Sequence, residues 1–133
     1  MRWVLLAAIV ARMIVACMIV FAPGVAAAEP PGATLFKRCS FCHDVGPDAR
    51  NKAGPQLNGL DGRKAGSVAG FSYSAANKAA GFVFNEASFT AYIKDPKAKI
   101  PGTKKAFAGV ASEDDAHALW DYLKPFGADG MSK

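Results

Sequence analysis

The 133-residue sequence predicts an all-α fold in one small domain, with about four short helices joined by long loops. Three observations carry that expectation. Apolar residues recur at helical spacing in short segments that open on capping residues and close on glycine or proline. No segment alternates with the two-residue period of a strand. No internal repeat or break in composition marks a second domain.

Residues 4–25 are almost all apolar, interrupted by Arg12 and Cys17; Arg2 precedes them and Ala26-Ala27-Ala28 follows. A basic start, an apolar stretch and a small-residue exit are the layout of a secretory signal peptide, dividing the chain into a cleaved leader, 1–28, and a folded domain, 29–133. Two alternatives stand beside cleavage. The apolar run approaches the roughly 20 residues of a membrane-spanning anchor, although Arg12 at its middle would cost about 2.5–3.5 kcal/mol. Ile14-Val15-Ala16-Cys17 resembles a lipoprotein processing site, although apolar residues continue past Cys17. All three readings put the folded part outside the cytoplasm. The net charge of +5 is partly the leader's, which holds Arg2 and Arg12 and no acid.

After the breaker cluster Glu29-Pro30-Pro31-Gly32, residues 33–42 read as a short helix with Leu35, Phe36 and Cys39 at helical spacing. Residues 45–70 are loop-like. Ser74 is an N-cap for residues 75–80, with Gly81 as the stop. Asn85 caps 86–94, which ends at Asp95-Pro96 because the residue before proline disfavours helical backbone. Residues 96–110 read as a basic, proline-containing loop. Ser112 caps the clearest helix. Glu113, Asp114 and Asp115 sit at its positive end, and Ala116, Leu119, Trp120 and Leu123 fall at i, i+3, i+4 and i+7. Pro125 and Gly127 close it, and Met131 falls in a tail expected to fray.

Short helices and long loops cannot bury much apolar area alone, so a staple is expected. The folded domain has only Cys39 and Cys42, and a disulfide across a two-residue gap has little stapling value. Cys39-Ser40-Phe41-Cys42-His43 is Cys-x-x-Cys-His. Two thiols one helical turn apart can each bond a haem vinyl group, and the histidine that follows offers its imidazole to the iron. A thioredoxin-like redox pair would lie near a βαβ unit, which is lacking, and structural zinc would need His117, expected on a helix surface. One covalently bound haem c per chain is therefore the expectation. Its flat apolar body supplies the missing core.

From these residues the chain resembles the short bacterial class I cytochromes c, relatives of mitochondrial cytochrome c, over residues 32–123. Gly32 and Phe36 match that family's first helix, and Gly54-Pro55-Gln56-Leu57 matches its Gly-Pro-x-Leu. The resemblance implies that the Pro55 carbonyl accepts the second N–H of His43, the proximal ligand. Gly62-Arg63-Lys64-Ala65-Gly66 and Tyr73-Ser74-Ala75-Ala76-Asn77 match as well. By resemblance, Arg63 and Tyr73 bond a buried propionate, Asn77 joins that network and Tyr92 lies near the distal face. Ile100-Pro101-Gly102-Thr103-Lys104 is similar to the distal loop, Phe107 to the haem-edge aromatic, and Leu119 and Tyr122 to the crossing C-terminal helix. An exported bacterial cytochrome of this kind works in the periplasm.

One departure matters most. Where the family has its second axial ligand, methionine, this chain has Lys105; Met1, Met13 and Met18 lie in the leader. Three readings compete. Lys105 ligates as a neutral amine, which costs about 4.6 kcal/mol of deprotonation at pH 7 from an ordinary pKa of ~10.4. Alternatively it stays protonated in water and the iron is five-coordinate or water-bound. In the third, Lys104, Lys99 or His117 swings in. A hard amine favours ferric iron and a low potential, whereas an open site favours small-ligand binding. Two smaller departures are Phe84, where the family often has a tryptophan that bonds the propionate, and Lys99, which replaces a frequent aromatic.

Lys94, Lys97, Lys99, Lys104 and Lys105 crowd one segment with Asp95 as the only nearby acid; this is either a solvated lysine loop or, as the resemblance implies, a rim that docks on acidic faces of membrane or soluble redox proteins. No nucleic-acid module is present, and a monomer is expected. The leading expectation is a carrier of single electrons rather than an enzyme. The alternatives are a ligand-binding, sensing or weakly peroxidase-like haem protein, and a degenerate paralogue that has left the usual electron-transfer chain.

Overall fold

A computed structural model describes residues 27–133. The leader, anchor and lipoprotein readings, with Cys17 and the three leader methionines, fall outside the described residues, apart from the last two alanines of the leader. Among the described residues five helices follow in order: α1 (Pro31–Phe36), α2 (Ala75–Lys78), α3 (Glu86–Lys94), α4 (Pro96–Lys99) and α5 (Glu113–Leu123). Among the described residues the only β pairing is two isolated bridges, Lys64 with Val83 and Phe126 with Ser132. The all-α expectation holds.

Helix α1 starts at Pro31, two residues earlier than expected, because a proline at the first helical position gives up an N–H that would be unpaired anyway. It ends as an α-helix at Phe36, earlier than expected, and winds on as tight turns. Ser40 N–H donates to Phe36 O at 2.9 Å, and His43 N–H donates to Cys39 O at 2.9 Å. Helix α2 is one turn, capped by Ser74 as expected but shorter than 75–80. Helix α3 has the expected bounds, and Asn85 and Ser88 form a reciprocal capping box.

The loop expected from residue 96 is corrected at its start. Asp95 ends α3, and its side chain accepts the Ala98 N–H at 3.0 Å, capping the single turn α4 with Pro96 at its first position. The dipeptide that stops one helix thus begins the next. Helix α5 is capped by Ser112, which accepts the Asp115 N–H at 3.2 Å.

The core lies where α1 and α3 meet α5. It holds Phe36, Leu60, Phe89, Ile93, Ala116, Leu119, Trp120 and Leu123. The Phe89 and Trp120 rings lie 5.3 Å apart between α3 and α5. At the α1–α5 crossing Gly32 is buried, and a Cβ there would run into the Ala118 carbonyl and the Tyr122 Cβ. Only glycine allows that approach. No helix among the described residues is long and apolar enough to cross a membrane.

The tail does not fray. Gly127 N–H donates to Met131 O at 2.9 Å and Lys133 N–H to Pro125 O at 3.1 Å, closing a short hairpin. Its positive-φ glycine, Gly130, makes the reversal that an unpatterned tail conceals from sequence reading. The Met131 side chain itself faces solvent.

Candidate functional site

The helices and the loop over residues 54–73 enclose a cleft of about 550 Å³, within the range of small-molecule sites. All ten residues singled out from the sequence as cofactor contacts or ligands line this one cleft. Its apolar wall is an extension of the core, through Leu57, Leu60, Phe89, Ile93 and Leu119.

The tight turns after α1 bring Cys39 and Cys42 to the cleft, half-buried and unpaired as thiols. Burial pushes the Cys39 thiol up. His43 follows, and its Nδ1–H donates to the Pro55 carbonyl at 2.7 Å. The loop that presents this carbonyl is tied to the histidine's own segment. Gly54 N–H donates to Cys42 O and Leu57 N–H to Asp44 O, both at 2.8 Å. Gly54 is buried flat against the imidazole, where any Cβ would overlap the ring. Burial lowers the His43 pKa, opposed by the Pro55 bond and assisted by the Lys105, Arg63 and Lys52 charges. The ring is therefore neutral at pH 7, with Nδ1 committed as donor and Nε2 left with its lone pair.

Lys105 is not part of a solvated rim. Its side chain turns into the cleft, with Nζ 5.0 Å from the centre of the Tyr92 ring and 5.5 Å from that of Phe107. Burial drives its pKa down, partly opposed by the Cys39 and Cys42 sulfurs. Lys94 is also altered relative to expectation, because Glu113 from α5 meets it at 3.4 Å. Lys97, Lys99 and Lys104 remain exposed, and Lys99 lies 5.2 Å over Phe82. His117 is not brought to the thiols: it meets Glu86 at 2.9 Å on an open face between α3 and α5. That pairing counts against the zinc reading.

The polar wall is built from residues distant in sequence. Arg63 Nη1 donates to the Gln56 and Asn58 carbonyls at 3.0 and 2.9 Å. Its guanidinium is partly withdrawn from water and, among the described residues, has no carboxylate partner. A partly desolvated cation of that kind suits an anion. Asn77 Oδ1 receives the hydroxyls of Ser74 and Thr103, each at 2.9 Å, leaving the amide NH₂ to donate. Tyr73 Oη accepts the Val68 N–H at 3.3 Å. Phe84 packs edge-on against Phe82 and Tyr92 and offers no donor.

Sequence reading missed Thr103 as the hydroxyl that ties the distal loop to Asn77, and Asn58 as a buried bracket on Gly46. The Asn58-Gly59 pair, a turn signal, was the available cue for the second. Phe41, between the two cysteines, is 87% exposed.

An apolar slot with two unpaired thiols at one turn's spacing, a tethered neutral imidazole and a half-buried guanidinium without a carboxylate partner fits a flat, metal-bearing, anionic macrocycle. The site thus defines a c-type haem protein. No family model matches the chain. Similarity to known proteins is nonetheless high. It is 54% identical to cytochrome c2 of Rhodoplanes tepidamans over 102 residues, covering 77% of this chain and 95% of that one. It is 51% identical to cytochrome c-550 of Nitrobacter winogradskyi, covering 77% and 94%. Cytochrome c of Gibberella zeae is 51% identical over 94 residues, covering 70% and 89%. The chain belongs to the family of class I cytochromes c. As such it holds one covalently bound haem c and carries electrons rather than transforming a substrate.

Proposed function

We propose that the chain is an exported carrier of single electrons in which Cys39 and Cys42 hold the haem by thioether bonds and His43 ligates the iron. In this reading Lys105 supplies the second axial ligand as a neutral amine. The observation that carries it is the burial of the Lys105 amine in the cleft that also holds His43. Burial lowers the cost of deprotonation relative to a lysine in water. The two sulfurs that oppose this lose their ability to carry charge once they are thioethers. What remains favours the neutral amine.

When bound, the haem supplies a one-electron couple at its iron. The chain's own residues do the rest. Pro55 orients the His43 ring and makes it more basic. Arg63 would meet the charge of a propionate, with the Asn77 amide and Tyr73 hydroxyl beside it, while Tyr92 and Phe107 would wall the cleft against water. Because an amine is harder than a thioether, the potential lies below that of a histidine–methionine cytochrome.

The exposed lysines Lys97, Lys99 and Lys104 form the docking rim for acidic faces of redox partners. Cleavage after Ala28 releases the domain into the periplasm as a monomer; mass spectrometry of the exported protein checks the cleavage.

The test of the distal ligand is ferric electron paramagnetic resonance over a pH series, on the native protein and on Lys105→Ala and Lys105→Met. A low-spin signal that is lost in Lys105→Ala is expected, and Lys105→Met should raise the potential. A high-spin native signal at neutral pH, with ready cyanide binding, would establish the open-site reading instead.

A further inference from the structure

The segment beyond α5 folds back onto the loop that carries Pro55. Phe126 O accepts the Gly59 N–H at 2.9 Å, and at the turn of the hairpin Gly130 is buried with φ of 76°. A Cβ on Gly130 would overlap the Gly46 carbonyl and approach Asn58 Nδ2 to 2.7 Å. Asn58 brackets Gly46 in turn, accepting its N–H at 2.9 Å and donating Nδ2 to its carbonyl at 2.8 Å. Both ends of this buried amide are satisfied, which makes the bracket a rigid joint.

The joint clasps the two stretches of backbone on which His43 depends. Gly46 lies three residues beyond His43, and Asn58 three beyond Pro55, whose carbonyl receives Nδ1 at 2.7 Å. Hydrogen bonds from Arg63 and from Leu57 to Asp44 hold the same loop from within. The hairpin holds it from outside. None of the residues of the hairpin lines the cleft.

We infer that the C-terminal hairpin is a positioning element for the proximal histidine. Seated on the Gly46–Asn58 bracket through Gly130, it keeps the Pro55 carbonyl at bonding distance of His43 Nδ1 and so tunes the potential. The inference rests on His43 being the proximal ligand. A hydrogen bond to Nδ1–H raises the basicity of the ring and favours ferric iron, so loosening the clasp raises the potential.

The test uses the haem-loaded protein. Gly130→Ala and a variant lacking residues 128–133 are compared with Met131→Ala, which changes an exposed side chain on the same hairpin. The readouts are the midpoint potential and, by NMR, the exchange rate of the hyperfine-shifted His43 Nδ1–H. Both lesions should raise the potential relative to the control and speed that exchange by about tenfold or more. A lower Tm with potential and exchange unchanged would make the hairpin merely structural and overturn the inference.

Should neither variant fold, the native protein still decides. The Gly59 amide and the His43 Nδ1–H should exchange through one shared opening across temperature. Exchange of the Gly59 amide while Nδ1–H stays protected overturns the inference. Failure of the underlying reading looks different: no hyperfine-shifted His43 ring proton appears in the native protein.

Discussion

At Tyr92, His43 and Lys105 burial favours the uncharged form. The Tyr92 hydroxyl is pushed up to about 12 and stays protonated, while His43 and Lys105 are pushed down toward neutrality. For His43 the sign of the linkage is definite. Its folded pKa lies below the ordinary value of ~6.5, so between the two the unfolded chain binds more protons. Stability from this residue is complete above about pH 6.5 and is lost as pH falls through the folded value; iron ligation acts in the same direction. The midpoint of denaturant unfolding should therefore fall as pH drops from about 7 to 5. Cys39, Cys42 and His43 were legible because their spacing carries the chemistry; the other seven residues of the predicted site came by position from the family resemblance. The Thr103–Asn77 bond, spanning 26 positions, was not legible. The inward turn of Lys105 was one of the readings that its position left open, and packing against Tyr92 and Phe107 sets it apart from the other lysines of the run.

Among the elements, α1, α3 and α5 carry the fold, and two substitutions probe how. Gly32→Ala puts a methyl group into the Ala118 backbone at the α1–α5 crossing. It should cost about 1–3 kcal/mol in chemical denaturation, more than the same change in an exposed turn. Thr90, on α3, has a buried hydroxyl with no hydrogen-bond partner among the described residues. Thr90→Val removes that orphan and should stabilise the protein by roughly 1 kcal/mol, read as a higher denaturant midpoint at unchanged m-value. The three capped starts were legible because Ser74, Asn85 and Ser112 announce themselves. Helix α4 was not, because Asp95-Pro96 is at once a stop for one helix and a start for the next. The C-terminal hairpin left no periodic trace; what specifies it is one glycine conformation and a contact with a loop more than 70 residues earlier.

On the scale of the whole molecule, the net positive charge is directed by pairing. Glu113 offsets Lys94, whereas Lys97 and Lys104 have no acidic partner among the described residues. Lys97→Glu and Lys104→Glu should each slow electron exchange with an acidic partner and flatten its dependence on salt, and Lys94→Glu should do so less. Stopped-flow rates over an ionic-strength series would show the ranking. The crossing of α1 with α5 also has a consequence in time. As the chain emerges, helix α1 waits for α5 before it can bury Phe36 in the core that Leu119 and Leu123 complete. Throughout that interval of some 80 residues the segment from Cys39 to His43 is open chain, accessible to whatever machinery joins a macrocycle to two thiols. Closure comes last, and by then the cofactor can already be inside.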